Sequence, residues 1–309
     1  MNMGDLRNII AGLIALSLAT ACQESATPTG KNTAVTAKQL ANATYEGIYD
    51  GPVTLKDGEY LGKPFVEGGA ARPRVQLVTD FLIRGDIDGD GSDEAVVLLA
   101  ESSGGSGTFV YVAVVGLQDG QLASIGTAPL GDRVQVKQSD IRAGIVSMDV
   151  VQAGPDDPAC CPSENATRTW RLDGGSLVEQ EAQMTGELSV ADLEGQEWVL
   201  VQFGDGHDAP PEPELTLVFD NGRVAGHAGC NRYMGGVEAG VSGGDIKFGP
   251  LAGTMMACPQ DLMDLERRYL KALNGVRKFG FLAGRLALST VDDEGQLSTL
   301  IFEGRAPRM

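Results

Sequence analysis

The chain has 309 residues, with 24 Lys and Arg against 42 Asp and Glu, a formal net charge of −18 at pH 7. A phosphate backbone needs a basic footprint, so this field excludes a nucleic-acid partner; without any basic cluster it also excludes polybasic adsorption to anionic lipid. Hydrophobic residues make up 42% and glycines number 42, enough apolar material for about two domains and a turn density that predicts a mainly β protein.

The first element is a short apolar run, Ile9 to Leu18, preceded by Arg7. At about ten residues it is half the length of a membrane-spanning helix, so residues 1–21 read as an export signal. Ala19-Thr20-Ala21-Cys22 then resembles the lipobox of bacterial lipoproteins, with Ala19 where the family usually has Leu. The resemblance implies that Cys22 is acylated and becomes the amino terminus, tying the protein to a bacterial membrane through its acyl chains. Gln23 in second place implies the outer membrane as destination. The alternative is an ordinary signal peptide with an A-x-A-like cleavage site, which would release the protein.

Residues 22–43 are small and polar without an apolar period, and are expected to form a flexible tether. A β-rich domain is expected over 44–178. Its strands fall at Val53 to Leu55, Val75 to Ile83, Ala95 to Ala100, Phe109 to Val115, Val134 to Val136 and Ile145 to Val151, with a hairpin turn at Lys56-Asp57-Gly58. A composition break at Glu179 to Leu193 leads into a smaller C-terminal domain.

The densest chemical signal is Gly85-Asp86-Ile87-Asp88-Gly89-Asp90-Gly91-Ser92-Asp93-Glu94. Oxygen-bearing side chains at Asp86, Asp88, Asp90 and Ser92, a tight glycine turn and Asp93 or Glu94 to complete the shell are the donor set a hard cation takes, so calcium in a structural role, with Glu94 closing the set, is the candidate. Twelve positions into the loop stands Val97 where an EF-hand has Glu, and no helix is expected on either side. It resembles instead the Asp-x-Asp-Gly-Asp-Gly calcium loops between strands in repeat and carbohydrate-associated modules. The bland alternative is a metal-free Asp/Gly turn. Ser102 to Gly107 is glycine-rich but leads into strand with no Lys, so it reads as a turn and not a phosphate loop. This loop and its neighbours, including Leu130-Gly131-Asp132-Arg133 and Asp157-Pro158-Ala159-Cys160-Cys161-Pro162, resemble a module of bacterial envelope proteins without assigned function.

Farther along come Trp198-Val199-Leu200, Leu217-Val218-Phe219, Gly229-Cys230-Asn231-Arg232-Tyr233, Ile246-Lys247-Phe248 and Thr254-Met255-Met256-Ala257-Cys258. In this order they resemble the META domain of HslJ-type heat-shock proteins, over residues 190–305. The resemblance implies a small antiparallel barrel-like sheet with one α-helix, a link to stress response and drug tolerance, and no known reaction. The residues themselves agree: Pro259 suits a first helical position, Leu262, Leu265, Tyr269, Leu270, Leu273 and Val276 recur at helical spacing, and Asn274-Gly275 stops the helix. Its charged face, Asp261, Asp264, Arg267, Arg268 and Lys271, reads as solvated surface. Strands are expected at Lys278 to Phe281, Arg285 to Thr290 and Leu297 to Phe302.

With Cys22 acylated, four cysteines remain in an oxidising compartment. The META resemblance brings the strands beside Cys230 and Cys258 together and so implies a disulfide between them. Cys160 and Cys161 are adjacent and are read as a vicinal disulfide, reduced thiols or a cross-link elsewhere. Zinc held by His227, Cys230 and Cys258 lacks a fourth ligand. Gly240-Val241-Ser242-Gly243-Gly244 fits the nucleophile-elbow pattern in letters, but glycine-rich turn flanks Ser242, and the two histidines, His207 and His227, would have to supply any base.

The fold class expected is therefore mainly β: two β-rich domains after a lipidated tether, the second barrel-like with one helix. The expected function is that of a non-enzymatic envelope lipoprotein, binding or scaffolding an unknown envelope protein or small ligand under stress. The alternatives are a carrier holding a small apolar ligand inside the barrel, and a hydrolase or thiol redox enzyme.

Overall fold

In the computed structural model the described residues are 34–105, 107–118, 120–158 and 161–307. The export signal, Cys22 and the first part of the tether lie outside them. From Val35 onward the tether is packed, contrary to the flexible segment expected through residue 43. A four-residue helix, α1 (Ala37–Leu40), is started by a reciprocal cap between Thr36 and Gln39, and Val35, Leu40 and Ala43 are all at most 3% exposed. These three apolar side chains have sheet to cover, which a composition reading of a polar stretch does not register.

The short pair β1 (Thr44–Tyr45) and β2 (Val53–Thr54) continues this cover. Then come β3 (Glu59–Leu61), β4 (Arg74–Leu77), β5 (Ile83–Gly85), β6 (Glu94–Ser102), β7 (Phe109–Gln118) and β8 (Gln121–Asp132), an antiparallel sheet in the order β3-β4-β6-β7-β8 with β5 also on β6. The single strand expected from Val75 to Ile83 is two strands. The chain leaves the sheet after Val78, whose N–H still donates to the Leu98 carbonyl, turns through Thr79 and Asp80, and rejoins β6 as β5.

β8 went unread in the sequence because Gly126 and Pro129 interrupt its pattern. Two bulges in its pairing with β7 absorb them, and Pro129, which has no N–H to donate, sits opposite Tyr111 at one bulge. β6 and β7 are apolar without alternation because both their faces are buried. Val96, Leu98, Val112 and Val114 face a second sheet, whereas Ala95, Val97, Leu99, Ala113 and Val115 face the Val35 to Leu55 cover.

That second sheet consists of β9 (Gln135–Arg142), β10 (Ile145–Gln152), β11 (Glu164–Asp173), β12 (Ser176–Glu179) and β13 (Gln183–Glu187), ordered β12-β11-β10-β9 with β13 on β11. Met148, Val150 and Trp170 fill the space between the two sheets.

After a 3-10 turn at Val190–Leu193 the chain builds β14 (Glu197–Gln202), β15 (Thr216–Asp220), β16 (Arg223–His227), β17 (Arg232–Ala239), β18 (Ile246–Phe248), β19 (Ala252–Gly253), α2 (Gln260–Asn274), β20 (Val276–Leu282), β21 (Arg285–Val291) and β22 (Leu297–Arg305). The sheet runs β18-β17-β16-β15-β14-β22-β21-β20, and its two ends meet where Asp245 bridges Lys278 and the Phe279 N–H donates to the Gly244 carbonyl at 2.8 Å. The result is a nearly closed barrel. With 51% strand and 9% helix among the described residues, the fold is mostly β.

α2 begins one residue later than expected, with Pro259 as its cap residue, and lays Tyr269 and Leu273 on the barrel, both 0% exposed. Its charged face does more than meet solvent: Arg268 bonds Asp205 at 2.6 Å and stacks on Phe203, and Lys271 pairs with Asp293 at 2.9 Å. Val151 and Leu188 belong to the barrel's core cluster, so sandwich and barrel share a boundary. A bulge in β9 leaves Lys137 unpaired in the ladder and sends its ammonium to Asp192 at 2.7 Å and Asn165 at 2.9 Å, while Gln135 accepts the Phe281 N–H at 2.7 Å. Among the described residues no helix is long and apolar enough to cross a membrane.

Candidate functional site

The Asp/Gly loop joins β5 to β6. Gly89 and Gly91 take φ of +83° and +87°, which lets backbone amides turn inward onto carboxylates. Asp86 accepts the N–H groups of Gly89 at 2.7 Å and Gly91 at 3.1 Å, Asp88 accepts that of Asp90 at 3.0 Å, and Asp90 accepts that of Ser92 at 2.7 Å. Glu94, 3% exposed, comes up from the start of β6 and accepts the Ile87 N–H at 2.8 Å. Burial pushes the Glu94 carboxyl above its ordinary value, and the charges of Asp88 and Asp90 push the same way against the Ile87 hydrogen bond.

One oxygen from each of Asp86, Asp88 and Glu94 lies within 4.8 Å of the others. Oxygens on opposite sides of a calcium ion stand about 5 Å apart, so this trio has the diameter of such an ion. Asp90 is not part of that group, and the backbone N–H of Ser92 is turned onto the Asp90 carboxylate. The donor set of the sequence reading is thus divided: Asp86, Asp88 and Glu94 converge, while Asp90 orders the turn. A cleft of about 570 Å3 lies beside the loop, closed on its other side by Ile141, Ala143 and Gly144.

In the barrel, the two sequence motifs meet. Cys230, on the turn between β16 and β17, is joined to Cys258, just before α2, by a disulfide. Asn231, 6% exposed, is the knot beside it. Its carboxamide oxygen accepts the Met256 N–H at 2.8 Å and the Thr254 hydroxyl at 2.7 Å; its NH2 reaches the Met256 carbonyl at 3.3 Å and Glu266 of α2 at 3.1 Å. Glu266 also accepts the Asn231 backbone N–H at 2.9 Å. Sequence reasoning missed Glu266, although a signal was present. It is a charged residue four after Leu262 and three before Tyr269, on the flank of the apolar face.

Inside, Tyr233 and Tyr269 both donate to the Thr216 carbonyl, at 2.9 and 3.2 Å, and burial pushes both phenols far above their ordinary value. Gly226 is required here, because a Cβ would stand 1.9 Å from that carbonyl oxygen. Trp198, Phe219, Phe248, Phe281 and Phe302 pack with these tyrosines through the barrel interior. These seven aromatic side chains occupy the interior in which a carrier would hold an apolar ligand.

His227 ends β16, and its Nδ1 accepts the Gly229 N–H at 3.3 Å. It lines an outer groove of about 680 Å3 with Glu197, Glu212, Arg232 and Met234. Ser242 lies in the turn after β17, whereas His227 pairs with Arg232 at that strand's start. The run of β17 places them roughly 23 Å apart along the strand. His207, on the loop after β14, is exposed. Zinc at His227, Cys230 and Cys258 is overturned, since both sulfurs are in the disulfide and offer no thiolate. Cys161 is disulfide-bonded; Cys160 and the lipidation residue Cys22 lie outside the described residues.

Comparison with known proteins bears on the barrel. The family model of the META domain matches residues 191–302. This stretch is a META domain. The META barrel thus spans everything from the 3-10 turn to β22, including the Cys230–Cys258 bridge. No curated protein matches the chain. Two solved structures resemble part of it: the NMR structure of a protein from Burkholderia xenovorans, 28% identical over 37% of this chain and 85% of that one with a TM-score of 0.29, and a second NMR structure, 22% identical over 38% and 94% with a TM-score of 0.30.

Proposed function

We propose that this protein is a non-enzymatic lipoprotein of the bacterial cell envelope, lipid-anchored at the outer membrane through Cys22, whose META domain binds or scaffolds an envelope protein under stress. The observation that carries the reading is the META match at residues 191–302, joined to the lipobox-like Ala19-Thr20-Ala21-Cys22. The disulfide within that domain suits an oxidising compartment. The filled barrel and the separation of Ser242 from His227 favour binding at a surface over turnover in a pocket.

Intact-mass analysis of protein taken from the membrane fraction tests the anchor: acyl mass on a chain beginning at Cys22 is expected, and an unmodified thiol or a cytosolic product overturns it. Proximity labelling from the META domain during heat stress is expected to mark the same envelope proteins in repeated experiments and to lose them when residues 191–302 are removed.

Calcium in the Asp/Gly loop is a second element of the proposal, favoured by the convergence of Asp86, Asp88 and Glu94. Its role is structural, fixing the β5–β6 connection. Calcium is expected to raise the melting temperature by several degrees over chelator, about the size of 1 kcal/mol in a chain of this length, and Glu94→Gln to remove that difference. Equal melting in calcium and chelator would discard the ion.

A further inference from the structure

The connection between β3 and β4, residues 62–73, has no part in the reading above. It continues the two strands outward as a hairpin: the Gly62 N–H donates to the Pro73 carbonyl at 2.7 Å, the Phe65 N–H to the Ala71 carbonyl at 3.1 Å, and the Gly69 N–H to the Val66 carbonyl at 2.8 Å. Gly68 turns with φ of +74°, and a Cβ on Gly69 would stand 2.9 Å from the Val66 carbonyl, so the tip is built for glycine. At that tip Phe65 and Val66 are 59% and 73% exposed. Two further exposed apolar side chains, Leu61 and Phe109, share this end of the sheet, because Leu61 pairs with Arg74, Arg74 with Ser102, and Phe109 with Glu101.

We propose that this hairpin is a second, shallow contact with the lipid surface, entered by Phe65 and Val66. The inference rests on the lipoprotein reading and deepens it. Adjacent aromatic and aliphatic side chains held out on a narrow hairpin match an interfacial insertion better than a flat protein-binding patch, and the cross-hairpin hydrogen bonds lower the penalty of moving the backbone into a less polar zone.

Charge points the same way. The chain carries −18 overall, yet residues 62–73 hold Lys63 and Arg72 against Glu67, and Arg74 at their edge is paired with Glu59. In a molecule that an anionic bilayer repels, this tip is a place of local attraction.

Reach is the third argument. The described chain starts at residue 34, and the carbonyl of Val35 is held by Arg84 at 2.6 Å, opposite Ala95 of β6. The hairpin leaves the far end of that strand, near Ser102, so its tip is about 40 Å from Val35. Twelve residues lie between Cys22 and Val35, and the thirteen steps from one to the other span at most about 45 Å. One bilayer is therefore within reach of both contacts. The tether keeps the tip at high effective concentration over the lipid, so weak partitioning suffices.

The test is Phe65→Trp in the full-length chain, reconstituted into vesicles of phosphatidylethanolamine and phosphatidylglycerol with or without brominated acyl chains. The native Trp170 and Trp198 are at most 1% exposed and give a constant background. Bromination is expected to quench the emission of the added indole, as for a side chain in the acyl boundary. Val66→Glu in the same background is expected to abolish the quenching without shifting the melting temperature. Protein that floats with the vesicles and carries acyl mass, yet shows equal emission in both lipids, overturns the hairpin contact and leaves the lipoprotein reading intact. Protein without acyl mass overturns the lipoprotein reading; the vesicle concentration is then raised, where quenching supports the hairpin contact and its absence overturns it. An indole shift produced only by envelope protein, and insensitive to bromine, overturns the contact in favour of a protein partner.

Discussion

Asn231 joins four parts of the META barrel in one buried carboxamide: its own turn, the Thr254 to Met256 segment, the neighbouring disulfide and Glu266 of α2. Removing its side chain leaves the Met256 N–H and the Thr254 hydroxyl without their acceptor and takes from Glu266 the carboxamide donor, though not the backbone N–H, so Asn231→Ala is expected to destabilise the protein by about 1–3 kcal/mol in urea unfolding. Glu266→Gln keeps shape and part of the bonding and is expected to cause about half that loss. The Cys230–Cys258 bridge closes a 28-residue separation. Cys258→Ser is expected to remove about 3–4 kcal/mol by the chain-entropy account, read as a lower urea midpoint with a steeper slope, because the unfolded chain without the bridge exposes more surface. The motifs around these residues were legible in the sequence because they recur as letters. Glu266 was not, because its role depends on which face of α2 meets a turn 35 residues upstream.

At the scale of elements, strands with clear apolar runs were legible, and the ones missed share a physical cause. β8 carries Gly126 and Pro129, tolerated through bulges that depend on β7, and β11 to β13 alternate too many polar residues to stand out. Pairing context supplies what local propensity lacks. The metal loop was legible as a donor set but not as a geometry, since spacing alone does not say that Asp90 orders the turn while Glu94, from the next strand, closes the trio.

The contact between β9 and the turn before β14 is also an element-level matter. Burial works against the Asp192 charge, but the Lys137 ammonium, the Ser189 N–H and the Asn165 amide outweigh it and hold the carboxyl below its ordinary 3.8. A carboxyl depressed in the folded state stabilises above its unfolded value, and that contribution is lost as the pH falls from 3.8 through the folded value. Asp192→Asn is therefore expected to lower the melting temperature at pH 7 and to lose less stability than the parent below pH 4, checked by calorimetry across that range.

For the whole molecule, sandwich and barrel meet through Val151, Leu188, Gln135 and Lys137. A boundary with shared core residues predicts one cooperative unfolding transition for the parent; with Asp192→Asn, hydrogen exchange is expected to rise first along β9 and β20, where the two sheets touch. The sequence suggested two β-rich modules in a row, whereas the described residues from Ala34 onward form one compact unit with separate core clusters. It could not suggest that residues 35–55 would roof the first sheet, because a cover strand with few apolar residues acquires meaning only from the bare face beneath it.

That roof governs how mechanical load is shared. A pull on the chain upstream of residue 34 enters at Val35 and α1 and passes through Arg84 into the first sheet, before any META strand is strained. The barrel, last in sequence and closed on its own seam, is left as the slack passenger of a stressed chassis.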